Sequence, residues 1–134
     1  METQGQRIRR EFAQLVSMDS VSLNERECAD WLRERLEELG FEVKEDDAGS
    51  KLGGNAGNLH AWLEGTTGED PILLCGHMDI VEPGRGKKAI FHEDGTITSD
   101  GTTVLGADDI AAIIEILEGV RAVLASNRPH RGIE

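Results

Sequence analysis

Residues 72–79 read ILLCGHMD: Ile72, Leu73, Leu74 and Cys75, then Gly76, then a histidine and an aspartate two positions apart, His77 and Asp79. A short, wholly apolar run bounded by Pro71 and Gly76 has the form of a central strand covered on both faces, because a strand with one wet face would alternate. Both cysteines, Cys28 and Cys75, are accordingly expected to be buried thiols; their separation fits neither a disulfide framework nor a zinc knuckle.

Working outward, Ile8, Phe12, Leu15 and Val16 recur at helical spacing and predict an amphipathic helix over about 5–17. Ser22-Leu23-Asn24-Glu25 has the form of a capping box, and Cys28, Leu32, Leu36 and Leu39 make the stripe of the helix that would follow, stopped by Gly40. The period then changes to two. Phe41 and Val43 alternate with polar neighbours, as do Leu59, Ala61 and Leu63, so both segments read as half-buried strands. Residues 46–58, DDAGSKLGGNAGN, read as a surface loop. Residues 89–92 and 96–98 flank Glu93-Asp94-Gly95 and predict a hairpin.

A last helix, about 109–125, shows a broad apolar face of Ile110, Ile113, Ile114, Leu117, Val120 and Leu124, with Glu115, Glu118 and Arg121 as its wet stripe. Helices mixed with strands, one strand wholly apolar, predict an α/β fold: a three-layer sandwich with a mixed central sheet flanked by helices. Residues 129–134 look like the run-in to a further strand, so the expectation is an incomplete domain.

The chain has 134 residues, with 14 basic against 26 acidic side chains and a net charge of −12. Such a field repels phosphate backbones and anionic lipid, which argues against nucleic-acid and membrane partners. With no apolar stretch of membrane-spanning length and no signal-like start, the expected location is the cytoplasm.

Two clusters could carry chemistry. In an open α/β sheet, ligands gather at the carboxyl ends of strands, where His77 and Asp79 fall. A neutral imidazole there can bind zinc through one nitrogen while a carboxylate fixes the other. The second cluster is Gly106-Ala107-Asp108-Asp109 at the head of the last helix. If Asp109 caps that helix, Asp108 is free to point toward His77, and its two oxygens could bridge a pair of divalent ions. Each motif alone also has a plain structural account, as a backbone-satisfied histidine or a helix cap. Gly84-Arg85-Gly86-Lys87-Lys88 lacks the upstream glycine, the following Ser or Thr and the following helix of a phosphate loop. His60, His92 and His130 read as surface or strand histidines, and Glu37-Glu38 as a solvated helix face.

Taken together, LLCGHMDIVEPGRG (73–86), IFHEDGTITSDGTTVLGADD (90–109), IAAIIEILEGVRAVL (110–124) and SVSLNERECADWLRERLEELGFEV (20–43) resemble the catalytic domain of zinc-dependent exopeptidases. That family includes peptidase T-like tripeptide aminopeptidases, carboxypeptidases, aminoacylases and desuccinylases. The resemblance covers nearly the whole chain, and implies that residues 1–134 are the amino-terminal portion of the catalytic domain, without the lid or dimerisation domain. It implies that His77 ligates one of two zinc ions, that Asp108 bridges both, and that Asp79 orients His77. A cis peptide after the bridging aspartate and a short peptide as substrate are implied as well.

Two departures stand out. Relatives continue G-A-D-D-K-x-G where this chain has Ile110 and Ala111-Ala112, and their Glu-Glu pair, later ligands and lid have no counterpart here. The expectation is therefore a chain that holds zinc weakly and hydrolyses nothing alone. The alternative is a non-catalytic module that self-associates through an exposed sheet edge, a possible homo-oligomer.

Overall fold

The structure is a computed structural model and describes residues 2–134. Helix α1, Gln4–Ser17, starts with a capping box absent from the sequence expectation: the Thr3 hydroxyl accepts from the Gln6 amide at 3.3 Å, and the Gln6 side chain accepts from the Thr3 amide at 2.9 Å. Helix α2, Arg26–Glu38, starts later than Ser22 would require. The Ser22 hydroxyl is engaged by another side chain, and the Glu25 carboxylate accepts from the Leu23 amide at 2.6 Å instead. Its end is as expected. Gly40 has φ +91°, the Gly40 amide donates to the Glu37 carbonyl and the Phe41 amide to that of Leu36, a Schellman stop.

Strand β1, Glu42–Glu45, pairs antiparallel with a strand over Leu59–Trp62, in register Val43 to Ala61. The connection between them is not wholly loop, since Ala48–Leu52 form one helical turn, α3. This turn folds over small residues: a Cβ on Gly49 would lie 2.1 Å from the Ala56 carbonyl oxygen, and one on Gly57 2.1 Å from that of Asp46. The second strand is β2. Beyond it, Leu63 exchanges two backbone hydrogen bonds with Ile133, and Ile133 bridges in parallel to Ile72. The 132–134 segment thus lies between Leu63 and 72–74, giving the mixed antiparallel and parallel pairing the sequence suggested.

The apolar run 72–75 departs from expectation. Ile72, Leu73 and Leu74 are 48%, 70% and 39% exposed, and Cys75 is exposed too. The physical reason is missing coverage: neither hydrophobic cluster among the described residues includes this run, and its backbone is paired along one edge. The Ile72 and Leu74 amides donate to Gly132 and Glu134, whereas Leu73 makes no backbone hydrogen bond among the described residues. Cys28, by contrast, is buried as expected, and burial pushes its thiol up to about 12.

One side of the sheet carries Val43, Ala61, Leu63 and Ile133, packed with Phe41, Leu36 and Leu39 from α2 and its exit and with Val120 and Leu124. The other side presents Glu42, Lys44, His60 and Trp62 to solvent. Strands β3, Ile90–Phe91, and β4, Ile97–Thr98, form the expected hairpin, closed by Gly95 at φ +90°. Helix α4, Ala107–Ala125, buries Ile110, Ile113, Ile114, Leu117 and Val120, the apolar face read from the sequence.

The expected wet stripe of α4 is only partly wet. Glu115 is exposed, but Glu118 is buried against α1. Arg7 grips Glu118 with two bonds of 2.8 and 2.7 Å, while Arg121 bonds Glu118 at 2.6 Å and both oxygens of buried Glu11 at 2.7 and 3.0 Å. Alternating charge along α1 and α4 satisfies carboxylates that could not be buried singly. Among the described residues, no helix is long and apolar enough to cross a membrane.

Candidate active site

Backbone pairing builds one side of the site. Val21 bridges in parallel to Ile80, and the Ile80 amide donates to the Ser20 carbonyl at 2.9 Å, so the connector between α1 and α2 runs beside residues 77–81. The other side is the entrance of α4. Gly106 takes φ +78°, in the left-handed region that glycine adopts without penalty, and a Cβ there would press on Ile80 and Lys87. Buried Lys87 supports this corner from behind, its ammonium donating to the Met18 and Gly84 carbonyls at 2.7 and 3.1 Å. An amine turned inward in this way is unsuited to gripping phosphate, in accord with the rejected loop reading.

The structure brings the three sequence-predicted residues together. The His77 Nε2 lies 3.2 Å from an Asp108 carboxylate oxygen, and its Nδ1 lies 3.1 Å from both the Asp79 carbonyl and an Asp79 carboxylate oxygen. The Asp108–Asp109 peptide is cis, as the family resemblance implied. Partial burial opposes protonation of His77. Hydrogen bonding to the Asp79 carbonyl and the Asp108 carboxylate, with the charges of Asp79 and Asp109, outweighs it and holds the imidazole above its ordinary value. A shallow cavity of about 260 Å³ opens beside these groups, lined also by Ile80, Val81, Val104 and Gly106.

Asp109 is not the helix cap the sequence suggested. It makes no capping hydrogen bond and instead accepts from the His77 amide at 3.4 Å. Gly76 leaves room for it, since a Cβ there would sit 3.2 Å from the Asp109 carboxylate. Sequence reasoning also missed Ser22, whose hydroxyl donates to the second Asp79 carboxylate oxygen at 2.5 Å. Its apparent place in a capping box concealed it, and nothing local in sequence connects positions 22 and 79.

Two ligands held ~2.0 Å from a tetrahedral zinc lie ~3.3 Å apart, close to the observed 3.2 Å between His77 and Asp108. Asp108 is free to turn, its side chain 95% exposed. Among the described residues no third His, Cys, Asp or Glu converges on the pair. The residues present therefore fit part of a metal site.

No protein-family model matches this chain. It is 42% identical to aminopeptidase PepT from Bacillus cereus, with a TM-score of 0.89 over 95% of this chain and 34% of that one. A tripeptidase from Staphylococcus aureus matches at 38% identity and a TM-score of 0.89, over 96% of this chain and 34% of that one.

The chain shares the fold of the corresponding part of these two peptidases. A protein from Bacillus subtilis called YqjE, described as uncharacterized, is 41% identical over 128 residues, 96% of this chain and 34% of that protein. The chain thus spans about a third of the length of these relatives. An aminoacylhistidine dipeptidase from Vibrio alginolyticus shares the fold at 24% identity and a TM-score of 0.69, over 97% of this chain and 26% of that one.

Proposed function

We propose that this chain is the amino-terminal portion of a zinc-dependent exopeptidase catalytic domain, and that its part in the reaction is to hold metal against a short peptide substrate. The observation that carries the reading is the convergence of His77 Nε2 and Asp108 on one point at the mouth of a cavity, within a fold shared with a tripeptidase and an aminopeptidase. Bound zinc would polarise the scissile carbonyl and lower the pKa of the attacking water.

The residues of this chain have distinct tasks around that chemistry. His77 presents a nitrogen lone pair, with Nδ1 keeping its proton against Asp79. Asp108 presents an oxygen to the same point and has a second that could serve another ion. Asp109 holds the His77 backbone, and Gly76 and Gly106 let the two loops approach. Tripeptides cleaved at the amino end are the substrate class this reading favours. The chain supplies two metal-ligating side chains, one fewer than catalytic zinc sites use, so alone it holds zinc weakly and turns over no peptide.

The test is a chimera in which this chain replaces the corresponding third of the B. cereus PepT. It should cleave tripeptides only with zinc, and His77→Ala or Asp108→Ala should lower kcat/KM on the order of 100-fold or more. A chimera whose activity survives both substitutions would sink the reading.

The exposed run Ile72, Leu73 and Leu74, with a backbone edge at Leu73 that is unpaired among the described residues, favours a second reading: a module that pairs with another copy of itself along this edge. Sedimentation velocity should then show a dimer that forms without zinc and dissociates in Leu73→Lys. A monomer at every concentration would exclude it.

A further inference from the structure

We infer that Lys87 is a positioning residue for the candidate site: its buried side chain ties together the segments around His77 and Asp108 and so sets the spacing of that pair. The inference rests on reading His77 and Asp108 as metal ligands, since only then does their spacing bear on function.

Lys87 is 2% exposed. Its ammonium donates to the Met18 carbonyl at 2.7 Å, at the exit of α1, and to the Gly84 carbonyl at 3.1 Å, in the loop that follows residues 77–81. Met18 and Gly84 are both buried, and neither carbonyl has another donor among the described residues. The stem of Lys87 reaches a third segment. A Cβ on Gly106 would sit 3.3 and 3.4 Å from Lys87 Cε and Cδ and 3.1 Å from Ile80 Cγ2, so Lys87 and Ile80 together seat the turn that leads to Asp108.

Other bonds join these segments in pairs. The Ile80 amide donates to the Ser20 carbonyl, tying the connector between α1 and α2 to the residues after His77. The Gly86 amide donates to the Asp19 carboxylate at 2.9 Å, and the Val104 amide to the Pro83 carbonyl at 2.9 Å. Lys87 meets connector, loop and α4 entrance at once. His77 stands three residues before Ile80, and Asp108 two after Gly106, so a shift of this seat reaches the pair through a short span of chain.

The charge shows which property of the side chain matters. Both hydrogen-bond partners of the ammonium are carbonyls, and no carboxylate is among them. Burial holds its pKa below the ordinary value, with the charge of Asp19 opposing that shift most. An ammonium buried without a hydrogen-bonded counter-charge is costly, and a methionine would fill the space under Gly106 without that cost. What methionine cannot do is hold two carbonyls.

The experiment compares Lys87→Met, which keeps the stem and removes both bonds, with Arg121→Met, which weakens the fold at the ion network between α1 and α4. Crystal structures of the parent chain and both variants read the spacing without metal. In Lys87→Met the α-carbons of His77 and Asp108 should shift relative to each other by more than about 0.5 Å, the tolerance of a catalytic constellation. In Arg121→Met they should keep the parental spacing.

A second arm uses the PepT chimera with saturating zinc, where urea curves show each protein folded. Lys87→Met should lower kcat on the order of 10- to 100-fold with KM changed less than about twofold, and Arg121→Met should leave kcat parental. If Lys87→Met does not fold, Lys87→Gln, which keeps a donor on a shorter stem, is held to the same two readings. Parental spacing or parental kcat in a folded Lys87 variant overturns the inference, as does an equal change in Arg121→Met. If the parent chimera is inactive the peptidase reading fails, while the crystal structures still decide whether Lys87 sets the spacing.

Discussion

Arg121→Met lowers the unfolding free energy by about 3–5 kcal/mol, the largest single-site loss expected in this chain. Arg121 lies between Glu11 and Glu118, bonded to both, and those carboxylates are 2% and 8% exposed. Without the guanidinium Glu11 loses its bidentate partner and is left with Arg10 at 3.6 Å, while Glu118 keeps Arg7. The loss therefore falls mainly on Glu11, a charge with almost no water to solvate it. Urea unfolding of Arg121→Met and of Arg121→Met/Glu11→Leu separates the contributions. The double variant should recover most of the loss, because an apolar pair of similar volume suits the contact between α1 and α4. A single variant as stable as the parent would show that these charges are solvated.

Acid should weaken the fold in a defined window. The Arg7 guanidinium, helped by Arg121, holds the Glu118 carboxyl at about 2 against its ordinary 4.5. Arg26, with the Gly57 amide and Arg33, does the same for Glu45, also at about 2. A depressed carboxyl pKa means that the unfolded chain takes up the proton first. The stabilisation is thus complete above pH 4.5 and is lost as the pH falls from there through 2. Each group contributes up to about 3 kcal/mol. The urea midpoint should hold steady from pH 7 to 5 and drop steeply below 4.5, and Glu118→Gln should flatten that drop. A midpoint independent of pH between 5 and 3 would contradict it.

Legibility from sequence followed the range of the forces involved. The stripe on α4, the glycine stop at Gly40 and the hairpin around Gly95 are local, written in spacing and in the one residue that accepts positive φ. The proximity of His77, Asp79 and Asp108 was readable because each sits at the end of an element and the chain resembles a known family across both motifs. What failed was non-local. Ser22 and Glu25 satisfied a capping pattern, yet their side chains went to Asp79 and the Leu23 amide. Glu118 and Arg121 had helical spacing suited to a wet stripe, and only the packing of α1 put Glu11 and Arg7 against them. Apolarity of 72–75 forecast burial, but hydrophobicity states a tendency and the coverage must come from elsewhere.

The insertion of residues 132–134 between Leu63 and Ile72 also has a bearing on synthesis. Among the described residues, the 72–74 segment takes its backbone partner from residues 132–134, so that partner is missing until those residues have emerged from the ribosome. Until then β1 and β2 can pair as neighbours, whereas the strand leading to His77 waits on residues 132–134. The amides of Ile72 and Leu74 should gain protection from solvent exchange later than those of β1 and β2 as the nascent chain emerges.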